Sequence, residues 1–382
     1  MKYYKGMDLS TLIEVESCGG KFYDGAEAEA EDAVAILKRY GMNAVRIRLF
    51  NDPYSEKGEP YGAGTNDLET ALALAKRARK AGLDILLDYH YSDFWADPGK
   101  QFIPKAWKGY SVEELEQAVY DYTRETLLVF ESKGLLPDMV QVGNELTNGL
   151  LWPYGKKPEY DNIARFVSAG IRAVREISGQ ALLAGLRDEK IKVMIHLDNG
   201  GNNEMYRDWF DHYVERGEDF DVIGLSYYPF WHGTFDMLEY NMKDMAERYH
   251  KELIIAEVSM GFTMEDYAAY ERLAPSERKG MATRQELVDR IEFPMTKEGQ
   301  RDFMKELFRR LKQVPEHLAR GFFYWEPAWI PVEGSGWATK SSLAYIEDPG
   351  PCGNEWANQA LFDYEGHALP SLAAIRDYQP EI

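Results

Sequence analysis

Residues 84–145 open with Asp84-Ile-Leu-Leu-Asp-Tyr89 and pass through a helical pattern from Ser111 to Lys133 that stops at Gly134. They resume with Met139-Val-Gln-Val142 and end on Gly143-Asn144-Glu145. Short, dense runs like the first and third read as strands buried on both faces, the habit of a parallel sheet. The segment between them begins Ser111-Val-Glu-Glu114, a capping-box pattern at a helix start. Strand, helix, strand in that order is one crossover unit of a parallel sheet.

The unit recurs along the chain. Strands are predicted at Tyr4–Met7, Ala44–Leu49, Asp84–Tyr89, Met139–Val142, Lys192–His196, Asp221–Ser226, Glu252–Ala256 and Gly321–Tyr324. Amphipathic helices are predicted over Glu27–Tyr40, Asn66–Ala81, Ser111–Lys133, Tyr160–Ser178, Asn203–Arg216, Phe235–His250 and Lys297–Val314, with a closing turn or helix near Leu369–Asp377. Eight such units imply the α/β class and a single (β/α)8 TIM barrel. The rival, an open doubly wound sheet, carries a Gly-rich phosphate turn after its first strand. Here Asp8-Leu9-Ser10-Thr11 follows that strand, and neither GxGxxG nor GxxxxGK[ST] occurs. The long connections, 50–65, 93–110, 143–159, 258–296 and 325–369, all follow strands. They build long βα loops at the C-terminal face, where barrel active sites lie. No linker interrupts the pattern, so residues 1–382 are expected to form one catalytic domain.

Composition narrows the function. The 382 residues carry 44 Lys and Arg against 64 Asp and Glu, a formal charge of −20. That balance excludes a phosphate-neutralising nucleic-acid binder and a polybasic membrane-surface protein. No apolar run approaches the roughly 20 residues of a membrane span. The opening Met-Lys-Tyr-Tyr-Lys-Gly-Met-Asp lacks a signal-like apolar region, so the expectation is a cytoplasmic protein, or a secreted one whose signal has been removed. A monomer is expected. Two cysteines, Cys18 and Cys352, are too few for a disulfide scaffold or thiolate zinc site, and two free thiols are expected.

The strand ends carry the chemistry. They read Arg46-Ile-Arg48, Asp88-Tyr-His90, Gly143-Asn144-Glu145, His196-Leu-Asp198, Ser226-Tyr227-Tyr228-Pro229, Ala256-Glu257 and Tyr324-Trp325-Glu326. Glu145 and Glu257 follow strands three apart around the ring, so they can face each other across the barrel mouth. Two facing carboxyl groups, one protonated and one ionised, are what glycoside hydrolysis requires. Asn144 can cap a turn or hold a sugar hydroxyl. Arg46 and Arg48 share one face of their strand and need carboxylate partners inside a barrel. His90 and His196 are either hydrogen-bonded core residues or site residues. Trp95, Trp107, Trp152, Trp231, Trp325, Trp329 and Trp337 crowd the loops, as suits sugar faces that stack on aromatic rings. A metal-dependent isomerase or lyase would draw on Asp88, His90, His196 and Asp198, with Glu257 and Glu326 as further ligands. HExxH and Asp-x-Asp-x-Asp-Gly are both missing, and no cofactor or metal is expected.

Six strings together resemble glycoside hydrolase family 53, the arabinogalactan endo-β-1,4-galactanases. They are Lys5-Gly-Met-Asp8-Leu-Ser10, Arg46-Ile-Arg48-Leu-Phe50-Asn-Asp-Pro53, Asp88-Tyr-His90-Tyr-Ser-Asp-Phe-Trp95-Ala-Asp-Pro98, Gln141-Val-Gly-Asn144-Glu145, Ser226-Tyr-Tyr-Pro229 and Phe323-Tyr-Trp325-Glu-Pro-Ala-Trp329. The resemblance runs from about Lys5 to Asp377. It implies a (β/α)8 barrel and a retaining endo-β-1,4-galactanase acting on β-1,4-galactan (type I arabinogalactan, pectic side chains) or galacto-oligosaccharides. By the same match Glu145 is the acid/base and Glu257 the nucleophile. An Arg of strand 2, His90, Asn144, a Tyr of Tyr227-Tyr228, and Trp325 would line the subsite at the cleavage point, with Trp95 a stacking platform. From the strand ends, Arg46, Arg48, Asp88, His196, Asp198, Tyr227 and Tyr228 are all expected as substrate-binding residues. Bacterial members often carry calcium in the loops after strands 7 and 8. The stretch from Met264-Glu-Asp-Tyr-Ala-Ala-Tyr270 to Phe293-Pro-Met-Thr296 lacks that pattern, so calcium is not expected. The alternatives are another barrel β-glycanase, such as a mannanase or glucanase, or an inactive carbohydrate-binding barrel.

Overall fold

The computed structural model describes residues 2–25, 27–267 and 282–380. Eight parallel strands close into a barrel: β1 Tyr4–Asp8, β2 Ala44–Leu49, β3 Asp84–Tyr89, β4 Met139–Val142, β5 Lys192–Leu197, β6 Val222–Tyr227, β7 Glu252–Val258 and β8 Ala319–Tyr324. Each pairs with its sequence neighbours, and β1 closes the ring on β8 through Tyr4↔Gly321 to Met7↔Tyr324. The outer helices are α1 Ala33–Arg39, α2 Leu68–Lys80, α3 Val112–Ser132, α4 Tyr160–Leu183, α5 Asn203–Val214, α6 Phe235–Tyr249, α7 Lys297–Leu311 and α8 Pro370–Asp377.

Two helices depart from expectation. The stretch expected to begin a helix at Glu27 instead places Ala30–Glu31 against Phe22–Tyr23 as an antiparallel ribbon, and α1 starts only after Asp32, whose carboxylate caps Ala35 N. The helix expected to end at Ser178 runs on through Gly179 to Leu183, because the apolar stripe continues through Ala181. Ser111 and Glu114 form the expected capping box.

The barrel interior is built in two layers. At its base lie Tyr4, Ala44, Leu86, Met139, Met194, Val222, Ile254, Ala256 and Phe323. Gly6 makes room for the Phe323 ring, which a Cβ there would meet at 2.2 Å. Above that base, six of the strands carry a polar or charged inward residue: Asp8, Arg46, Asp88, Gln141, His196 and Ser226, all buried. The apolar base seals the barrel, so chemistry is confined to the upper layer and the loops above it. Among the described residues no helix is long and apolar enough to cross a membrane. Cys18 and Cys352 are free thiols.

Candidate active site

β4 ends at Val142, and the chain turns out of the barrel through Gly143 at φ +82° and Glu145 at φ +48°. A left-handed backbone on a non-glycine residue costs of the order of 1 kcal/mol, and here it points a carboxyl across the barrel mouth. β7 delivers the second carboxyl by a different device. Beside β6, Leu225 pairs with Ile255 but Ser226 pairs with Glu257, so the ladder skips Ala256. That bulge turns Glu257 inward although Ala256 already faces the core. A carboxylate oxygen of Glu145 and one of Glu257 lie within 4.8 Å of each other.

Different partners separate the two. Glu257 Oε1 is 2.9 Å from Arg46 Nη2, and Oε2 accepts from the Tyr228 hydroxyl at 2.7 Å. Burial holds its pKa above the ordinary carboxylate value, and Arg46 and Tyr228 offset part of that rise. Glu145 Oε1 lies 2.7 Å from the Ser226 hydroxyl, and among the described residues no guanidinium pairs with it. Desolvation, then the charges of Glu257 and Asp198, push Glu145 well above the ordinary carboxylate range. The arrangement favours a protonated Glu145 facing an ionised Glu257.

Beneath the pair lies a charged layer. Arg46 meets Asp8 and Asp88 at 2.8 Å each, and its Nη2 donates to Asn144 Oδ1 at 2.9 Å. Asn144 in turn donates to Ala96 O at 2.9 Å, which fixes its amide. Arg48 does not reach Glu257. It pairs with Asp8 at 3.1 Å and Glu326 at 2.6 Å and sits 4.5 Å under the Trp95 ring. His90 accepts from Ala96 N at 3.1 Å, so its other nitrogen donates to Asp88 at 3.0 Å. It braces the Trp95 loop from within. Asp198, half-buried, is pushed up to about 6 by desolvation and is held by the Thr147 hydroxyl.

The cleft above encloses about 310 Å³ and is lined by Trp95, Asn144, Glu145, Tyr228, Glu257, Trp325, Trp337 and Trp356, with Asp97, Lys100, Asp348 and Glu355 at its polar margin. Trp325 stands 5.1 Å from Trp356 and 6.2 Å from Trp95, ring to ring.

Of the predicted residues, Glu145, Glu257, Trp95, Asn144, Tyr228 and Trp325 line this cleft. Arg46, Arg48, Asp88, His90 and His196, expected to bind substrate, are instead buried beneath it, where they hold the residues that do, and Asp198 does not line it. Tyr227 is not in the site: it points outward between Phe235 and Phe303, at ring distances of 5.0 and 6.1 Å, and only Tyr228 reaches the cleft. Strand alternation explains the split, since Ser226 and Tyr228 share the inner face. Trp107 and Trp329 are buried packing residues. The supposed metal set of Asp88, His90, His196 and Asp198 does not form. Among the described residues, only Glu145, His196 and Glu257 bring ligand-type atoms within 4.8 Å. Arg46 beside Glu257 disfavours a cation there. The calcium expectation concerns a loop whose residues 268–281 lie outside the described residues. Gln141, Asp8, Ser226 and Trp356 were not assigned a role from sequence. Gln141 could have been, as a lone amide in the apolar run of β4.

The family model for glycosyl hydrolase family 53 matches residues 4–375. The chain belongs to family 53. It is therefore a glycoside hydrolase. It is 35% identical over 392 residues to the endo-β-1,4-galactanase of Bacillus subtilis, covering 98% of this chain and 85% of that one. It is 38% identical over 379 residues to a Niallia circulans protein named only for the bgaB 5′ region, covering 97% and 93%. The fold matches the family 53 catalytic domain of Ignisphaera aggregans with a TM-score of 0.86 at 36% identity, covering 98% of this chain and 96% of that one. Two features of this family 53 member, the Glu pair and the aromatic cleft, now bear on its reaction.

Proposed function

We propose that the protein is a retaining endo-β-1,4-galactanase that cleaves β-1,4-galactan or its oligosaccharides without a metal or other cofactor. The observation that carries the mechanism is the Glu145–Glu257 approach within 4.8 Å. That lies below the roughly 6.5–9.5 Å an inverting pair keeps for its water and accords with the narrower gap of a retaining pair. Glu257, whose ionised form Arg46 and Tyr228 stabilise, attacks the anomeric carbon. Glu145 gives its proton to the departing glycosidic oxygen, then takes one from the water that releases the sugar. Asn144, held by Arg46 and Ala96, presents its amide beside the reacting sugar. Trp325 and Trp95 supply flat apolar faces. The galactan specificity is supported by the Bacillus subtilis relative.

Product analysis on β-1,4-galactan, with mannan and glucan alongside and EDTA present, tests the reading. Short galacto-oligosaccharides with the β anomer formed first are expected. Cleavage of mannan or glucan in preference to galactan would reject the substrate. First formation of the α anomer would reject the mechanism, and activity restored only by added calcium would reject the cofactor claim.

A further inference from the structure

Ser226 stands between Glu145 and His196. Its hydroxyl oxygen is 2.7 Å from Glu145 Oε1 and 2.8 Å from His196 Nε2. A hydroxyl has one proton, so it donates to one neighbour and accepts from the other. On the far side of the imidazole, Nδ1 lies 3.0 Å from Asn144 Oδ1, an acceptor, and 3.1 Å from Gln141 Nε2, a donor. Each has other partners when the ring does not use it. Asn144 Oδ1 takes Arg46 Nη2 at 2.9 Å, and Gln141 Nε2 reaches Asp88 Oδ1 at 2.6 Å and Gly143 O at 3.0 Å. The ring is therefore satisfied as either neutral tautomer.

We propose that His196 is a positioning residue whose tautomer follows the ionisation of Glu145 through the Ser226 hydroxyl. When Glu145 carries its proton it donates to Ser226 Oγ, Ser226 donates to His196 Nε2, and Nδ1–H donates to Asn144. When Glu145 is ionised, the Ser226 hydroxyl turns to the carboxylate. His196 Nε2–H then donates to Ser226, and Gln141 donates to the bare Nδ1. The protons balance. Glu145 releases one to the leaving oxygen, or to solvent in a titration. Ser226 keeps its own. His196 gives its Nδ1 proton to water and takes one from water at Nε2, staying neutral.

Burial, with Arg46, His90 and His232 nearby, holds the imidazole far below its usual pKa, so the cation does not intrude. The charged and titratable groups facing Glu145 are Glu257 from β7, Asp198 at the end of β5, Asp97 from the loop after β3, Tyr228 just past β6 and Tyr206 on α5. The purpose of the relay rests on the acid/base reading of Glu145. A fixed donor would favour only the carboxylate, whereas this group must be acid in one half-reaction and base in the next.

The test is NMR of the full chain with ¹⁵N-histidine and ¹³C-carboxyl glutamate, His196 being assigned by the signal lost in His196→Gln. The ring nitrogens should report Nδ1–H at low pH and Nε2–H at high pH, in step with Glu145. In Glu145→Gln and in Ser226→Ala the tautomer should stop responding to pH. One tautomer throughout in the unmodified protein would overturn the proposal, as would a switch that persists in either variant. Ser226→Ala should also lower kcat by about tenfold at little change in KM, the effect of one charge-assisted hydrogen bond. Ser226→Thr should restore it. The catalytic reading fails separately, if Glu145→Gln turns over galactan like the parent protein.

Discussion

At the scale of single residues, the site is short of positive charge. Two buried guanidiniums, Arg46 and Arg48, pair with four carboxyls, Asp8, Asp88, Glu257 and Glu326, and a fifth, Glu145, lies beside them without such a partner among the described residues. Not all five can ionise in so dry a place, and the surplus falls on those without a direct guanidinium or with the heaviest burial. Desolvation pushes Glu326 up to about 8 even with Arg48 beside it. Among the described residues Glu145 pairs with no guanidinium. Two predictions follow from this division. Glu257→Gln removes the nucleophile but keeps the hydrogen-bonding shape, so kcat should fall by several decades while oligosaccharide affinity, measured by calorimetry, stays nearly unchanged. Tyr228→Phe removes a donor to the Glu257 carboxylate. Its pKa then rises, and the acidic limb of the kcat/KM profile should move to higher pH, because the nucleophile must be ionised. The alkaline limb, set by loss of the Glu145 proton, should move far less. An unmoved acidic limb would show that Tyr228 does not tune Glu257.

At the scale of elements, what the sequence disclosed depended on whether a strand kept strict alternation. β2 and β3 do. Arg46 with Arg48, and Asp88 with His90, fall on one parity with Ala44 and Leu86, which line the barrel base. Their inward placement could be read without coordinates. The same parity, applied to Ser226-Tyr227-Tyr228, would have chosen Tyr228 over Tyr227. β7 breaks the rule. Alternation from Ile254 puts Glu257 outside, and only the bulge beside Ser226 brings it in, a register shift that depends on pairing with a strand thirty residues away. The ribbon of Phe22–Tyr23 with Ala30–Glu31 was hidden for a related reason. Its partner contacts are tertiary, including the backbone bonds of Tyr23 to Gly366 and Ala368, and local helix propensity says nothing of them. Helix starts were more legible, because a cap is local chemistry. α3 is the clearest case. Ser111 Oγ accepts from Glu114 N at 3.2 Å and the Glu114 carboxylate accepts from Ser111 N at 2.7 Å. Ser111→Ala should lower stability by about 1 kcal/mol in urea unfolding, with catalysis unchanged, since α3 packs outside the barrel.

At the scale of the whole molecule, the charged layer doubles as the upper half of the barrel core. Asp8 is its keystone. It is fully buried and bridges Arg46 at 2.8 Å and Arg48 at 3.1 Å, while the Ser10 hydroxyl donates to it at 2.6 Å. Opposed guanidiniums hold its carboxyl below the usual range despite the burial, so it is charged under working conditions. Asp8→Asn keeps the volume but leaves two buried cations short of a counter-charge, and breaking such a network costs about 3–5 kcal/mol. The protein also wears a net charge of −20 and many exposed pairs, such as Arg216 with Asp161 at 2.9 Å. Exposed pairs contribute about 0–1 kcal/mol each and are screened by salt. The two kinds of charge should therefore separate in one experiment. In urea unfolding at low and high sodium chloride, Arg216→Ala should barely move the midpoint, and any effect should vanish at high salt. Asp8→Asn should move it strongly at both, because salt does not enter the barrel. The sign of its pH dependence follows from the depressed pKa. The stabilisation by Asp8 is present above the carboxylate's unfolded pKa and is lost as pH falls through its lower folded value, so Asp8→Asn and the parent should converge in acid. A midpoint shift that disappears with salt would place Asp8 among the surface charges and remove the argument that the active-site layer holds the barrel together.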